Sequence, residues 1–120
     1  MNNFLKIAIL LLFSAAFVFN VHAQEAKTFK GKVSNGLDNT PLENVSVRIK
    51  GTTIGTLTNA EGKYELNTKN QGAVVLVFSA KDFISEEGPS GNASEVNAVL
   101  FPDTGKGKRK RRKFLKERGE

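Results

Sequence analysis

Cysteine and tryptophan are absent from this chain, and histidine, methionine and tyrosine occur once each. Without a thiol there is no disulfide, no thiolate metal site, no cysteine nucleophile and no cysteine to carry a lipid behind an apolar leader. The one imidazole, His22, sits at the end of such a leader, so a chain that has shed it keeps no imidazole to hold a catalytic zinc or to take a proton from a serine. Carboxylate pairs are what remains for acid–base chemistry. Glu86 and Glu87 are adjacent in a turn-rich stretch, and Glu61 and Glu65 fall around a turn, so neither pair forms a dyad. Asp38, Asn39, Asn59 and Glu61 lack the spacing of an EF-type calcium loop and read as turn residues. The chain is not expected to be an enzyme, and no cofactor or metal is expected.

What is present begins with Lys6 and a 15-residue apolar run, Ile7 to Val21, closed by His22-Ala23. About 20 apolar residues are needed to cross a bilayer as a helix, so this run reads as a signal peptide, residues 1–23, cleaved after Ala23. Residues 24–27 form a short extension, 28–103 one domain and 104–120 a tail. The net charge of +6 is unevenly placed. From Gln24 to Gly105 there are eight Lys/Arg against ten Asp/Glu, and from Lys106 to Glu120 nine Lys/Arg against two Glu. The basicity belongs to the tail.

The domain reads as short strands between turn clusters, with no helical periodicity of useful length. Phe29, Gly31 and Val33 alternate with lysines and Ser34; Val45, Val47 and Ile49 alternate with Ser46, Arg48 and Lys50. Ile54 and Leu57 are three apart, a spacing that predicts a bulge at Gly55. Asn59-Ala60-Glu61-Gly62 predicts a hairpin turn, with Gly62 in left-handed φ and Tyr64 and Leu66 returning to the core. Ala73 to Phe78 is apolar on both faces and predicts a central strand. Residues 85–95 predict a loop, and Val96 to Phe101 a last strand ended by Pro102.

Several segments then resemble a known family: Gly31 to Val33, Pro41 to Leu66, Val75 to Phe83 and Val96 to Pro102 are similar to the carboxypeptidase regulatory-like domain. The resemblance implies an all-β, seven-stranded Greek-key β-sandwich of the transthyretin (prealbumin) type, the non-catalytic companion of a peptidase. It is familiar at the N-terminus of TonB-dependent outer-membrane receptors and in other exported proteins of Gram-negative bacteria. Where the family often has an aromatic-Ile-Gly-Tyr run, this chain has Ser79-Ala80-Lys81-Asp82-Phe83 and keeps only the final aromatic. Nothing like a receptor plug or barrel follows Pro102, so the domain is expected to stand alone.

The resemblance implies a binding or structural module at the bacterial cell envelope, in the periplasm or on the outer-membrane surface. Its partner is expected to be an envelope protein or a glycan. Scarce aromatics outside the core favour protein. The alternative places the activity in the tail. Lys108, Arg109, Lys110, Arg111, Arg112 and Lys113 form an unbroken basic run that should repel itself into disorder. Such a run serves solubility alone, or binds an anionic membrane surface or polymer, such as anionic lipid or lipopolysaccharide phosphates, with Phe114-Leu115 entering the interface and the sandwich as carrier. Nucleic acid is disfavoured, because export routes the chain away from it.

Overall fold

Strict alternation around Phe29 puts apolar and charged side chains on opposite faces of an extended segment. In the computed structural model this segment lies within β1 (Ala26–Asn35), with Phe29 and Val33 buried and Lys30 and Lys32 turned out. The structure describes residues 26–69 and 72–120. The expected signal peptide at 1–23, with Gln24 and Glu25 of the expected extension, lies outside the described residues. Ala26 and Lys27, expected in that extension, already belong to β1, opposite Lys69 and Thr68.

β1 is flanked on both sides. It pairs antiparallel with β4 (Lys63–Lys69), Phe29 opposite Leu66 and Gly31 opposite Tyr64, and parallel with β7 (Ala98–Leu100), Val33 opposite Ala98. The second sheet runs in the order β3 (Gly55–Leu57), β2 (Ser46–Ile49), β5 (Val75–Ser79), β6 (Glu86–Pro89), antiparallel throughout. These two sheets make the expected all-β, seven-stranded sandwich. Phe29, Val33, Val45, Val47, Leu76, Phe78 and Leu100 fill the space between them, fully buried. Each such burial contributes about 1.5–3 kcal/mol, and with no disulfide available this layer carries the fold.

The Asn59–Gly62 turn is not a hairpin, because β3 and β4 belong to different sheets. It closes as a hairpin turn would: the Asn59 N–H donates to the Lys63 carbonyl (2.9 Å), and Asn59 Oδ1 accepts from the N–H groups of Glu61 and Lys63 (3.0 Å each). β4 nevertheless leaves β3, since seven register partners in β1 outweigh what a three-residue strand offers. Gly62 has φ +75°, and a Cβ there would lie 2.5 Å from the Val33 carbonyl oxygen, so the corner tolerates no side chain. The expected bulge at Gly55 is absent too. Ile54 precedes β3 and packs inward from the loop, whereas Leu57 points outward, so no pleat has to bring both to one face.

β6 replaces part of the expected 85–95 loop. Glu-Glu-Gly-Pro has little intrinsic strand preference, yet β5 offers it four register partners, and at a sheet edge the missing proline N–H interrupts no ladder. The departure at 79–83 also has a structural reading. Asp82, standing where the family run has glycine, adopts φ +67° and its carbonyl accepts from the Asp103 N–H (2.8 Å). Asp82→Gly is therefore expected to stabilise the domain, by up to about 1 kcal/mol, because left-handed backbone costs a side chain that much. A denaturant titration checks it, and a lowered midpoint would contradict this reading.

Beyond Pro102 the expected disordered tail is instead a helix, α1 (Gly105–Glu117).

Candidate functional site

Lysine and arginine are good helix formers, and on a helix successive residues point about 100° apart, so a basic run is spread around the axis. Both ends of α1 are closed. Thr104 is the N-cap: its hydroxyl oxygen accepts from the Gly107 N–H (3.0 Å). At the other end Gly119, with φ +81°, lets its N–H reach the Lys116 carbonyl (3.2 Å) while the Glu120 N–H reaches that of Leu115 (2.9 Å), a Schellman cap. Lys116 in the last turn complements the helix dipole.

One stripe of α1 docks on the sandwich. Gly107, Arg111 and Phe114 are spaced by four and three residues, which places them on one face. Gly107 is buried, and a Cβ there would sit 1.9 Å from the Pro102 carbonyl oxygen, so only glycine allows this approach. Phe114 packs on buried Phe101 at 5.4 Å between ring centroids, and Arg118 lies over the outer face of Phe114 at 5.3 Å. Arg111 grips both carboxylate oxygens of Glu86 on β6, through Nε to Oε1 and through Nη2 to Oε2 at 3.3 Å. That bond holds the Arg111 guanidinium more firmly protonated than usual.

The basic run is thereby split. Arg111 is turned inward and neutralised, while Lys108, Arg109, Lys110, Arg112 and Lys113 are exposed. Of these, Lys108 makes a solvent-exposed pair with Asp103 (3.4 Å). Phe114 and Leu115, expected to enter a membrane interface, are half-buried and face the crevice over β6 and β7. The reading of 104–120 as unstructured missed signals that stand in the sequence: a threonine and a glycine at cap positions, and the Gly107, Arg111, Phe114 spacing.

A second surface lies over the β4–β1–β7 sheet, an open groove of about 1000 Å³. Lys30, Lys32, Lys63, Glu65 and Glu95 bring both signs of charge to it, and β3 borders it with Leu57, 59% exposed and the one large apolar side chain exposed among the described residues. Below the groove Tyr64 is 4% exposed; its hydroxyl donates to the Val96 carbonyl, and burial first, then the Glu95 charge, pushes its pKa up to about 12. The turn carboxylates are occupied locally. Asp38 Oδ1 accepts from the Thr40 hydroxyl (2.7 Å) and N–H (3.1 Å), which lowers its pKa, and Asn59 closes its own turn. Among the described residues no group of three or more His, Cys, Asp or Glu is placed to hold a metal ion.

Comparison with known proteins places the family match on the sandwich. The model of the CarboxypepD_reg-like domain matches residues 29–101. Similar curated proteins include TonB-dependent receptor P39 of Formosa agariphila, 34% identical over 96 residues that make up 80% of this chain and 9% of the receptor. TonB-dependent receptor SusC of Bacteroides thetaiotaomicron is 33% identical over 104 residues, 86% of this chain and 10% of the receptor. The chain thus spans about a tenth of the length of the curated relatives it matches. Among solved structures, a chain of a type II cohesin–X–dockerin complex from Acetivibrio cellulolyticus superposes with a TM-score of 0.52 at 17% identity, over 63% of this chain and 58% of the other. That likeness is one of fold.

Proposed function

Since the chain belongs to the CarboxypepD_reg-like domain family, with TonB-dependent receptors among its relatives, we propose that it is an exported, non-catalytic β-sandwich module that holds an envelope protein along the groove beside β3. The observation that carries this is the groove's composition. Lysines and glutamates both line it next to exposed Leu57, a surface that suits a polypeptide with its own mixed charges and one apolar anchor. A glycan would call for a stacking aromatic, and the single tyrosine is buried beneath the floor. β3 is an edge strand, so an extended partner segment can add to its free ladder. The periplasm or the outer-membrane surface is the proposed location.

The test is capture of proteins from isolated envelope fractions by the exported chain at about 0.5 M salt, where contacts between exposed charges are screened. Leu57→Asp is expected to reduce capture at least tenfold, since burying a leucine contributes about 1.5–3 kcal/mol. Capture that is lost in high salt, or is indifferent to Leu57→Asp, would overturn the proposal. Removing α1 is a poor control, because it uncovers Phe101 and strands Glu86; charge reversal on the outer face of the helix leaves both contacts in place.

A further inference from the structure

We propose that α1 seats the protein, through charge alone, on a phosphate-bearing bilayer surface. The five outward cations of the 108–113 run share the exposed side of the helix with Lys106 before them and Lys116 after them, against the carboxylates of Glu117 and of Asp103, which pairs with Lys108. Thirteen residues of helix extend about 20 Å, so this is a strip of positive charge on a rigid support. The chain from Gln24 to Gly105 carries net −2, so the charge is one-sided and orients the molecule toward an anionic plane.

The docked face decides what kind of polyanion fits. Phe101, Glu86 and the Pro102 carbonyl hold the back of α1, so its cations cannot fold around a ligand and present themselves as a fixed array. The helix offers no Asn or Gln to read adenine edges. It offers no apolar wedge either, since Phe114 and Leu115 are turned to the sandwich. A plane of phosphates needs neither. Each cation near such a surface strengthens binding by about fivefold, and the contact is reversed by salt.

The exported chain is mixed with phosphatidylcholine vesicles holding about 30 mol% phosphatidylglycerol and sedimented, and two double variants are compared with it. Arg109→Glu with Lys113→Glu reverses the helix face; Lys30→Glu with Lys32→Glu makes the same change in net charge on the sheet. The helix pair is expected to weaken binding by about two orders of magnitude, the sheet pair by no more than about threefold, and about 0.5 M salt to release the wild type. Arg112→Gln with Lys116→Gln, which keeps helix propensity, is expected to weaken binding by about tenfold or more with an unchanged far-ultraviolet spectrum. Vesicles carrying lipid A in place of phosphatidylglycerol are expected to bind at least as well, and millimolar inorganic phosphate not to compete. Equal losses for the helix and sheet pairs, salt-resistant binding, displacement by free phosphate, or tighter binding to duplex DNA at equal phosphate would each overturn the proposal. It is separable from the groove reading, because the helix pair leaves Leu57-dependent protein capture in high salt untouched.

Discussion

Alanine in place of Phe78 is expected to lower the unfolding free energy by about 3–5 kcal/mol, a large part of the 5–15 kcal/mol that a small domain has in all. The ring is fully buried one residue from the end of β5, edge-on to Tyr64 with centroids 5.8 Å apart, and it lies against Gly88. β5 is held by ladders on both sides, and Val47 in β2 and Glu86 in β6 are the register partners of Phe78. These strands cannot collapse into the hole left by the ring, so the cavity cost adds to the lost transfer free energy. The measurement is a denaturant titration, with a lower midpoint at an unchanged slope. A loss below about 1 kcal/mol would show that the two sheets do not close over this side chain.

Tyr64 gives the second large effect, in alkali. Its hydroxyl titrates at about 12 in the folded chain against 10.0 for an unperturbed tyrosine, because burial disfavours the phenolate and the Glu95 charge opposes it. The folded pKa is raised, so the folded state holds the proton more tightly than the unfolded state. The associated stability is fully present below pH 10 and is lost as pH rises toward 12. Two pH units correspond to about 2–3 kcal/mol. Having one tyrosine and no tryptophan makes the check direct: tyrosinate absorbance reports Tyr64 alone. It should rise near pH 12 in the native chain and near 10 in denaturant. Tyr64→Phe should remove this part of the alkaline loss while costing about 1 kcal/mol at neutral pH for the missing bond to Val96. A native titration near 10 would mean that the hydroxyl is wet.

Strands with one wet and one dry face were the legible part of this molecule. Phe29 and Val33, Val45 to Ile49, and Tyr64 with Leu66 announce themselves by period-two alternation, and the structure places each as read. What alternation does not encode is partnership. Nothing in Asn59 to Gly62 says that the chain leaves one sheet for the other, because the turn closes identically either way and the choice rests on β1, some thirty residues upstream. β6 is invisible for the same reason: its strand character comes from β5, and its Glu86 carboxylate acquires meaning only when Arg111 arrives from α1. The helix was different. Its caps at Thr104 and Gly119 stood in plain view, and the density of like charge drew attention from them and from the docking stripe. Of the six basic residues of the run, charge alone could not show that Arg111 faces inward, since that depends on where Phe101 and Glu86 sit.

The parallel pairing of β1 with β7 bears on when this chain can fold. The contact joins residues 65 apart in sequence, from Lys32 to Asn97, and until Ala98 to Leu100 are in place β1 lacks one of its two neighbours and Val33 one wall of its pocket. Closing so long a loop is slow compared with forming a local hairpin, so a nascent chain stays unfolded while most of its length emerges. Under the export proposed above, such delay would keep the thread passable through a narrow translocation channel, and completion of the last strand would set the moment at which it closes.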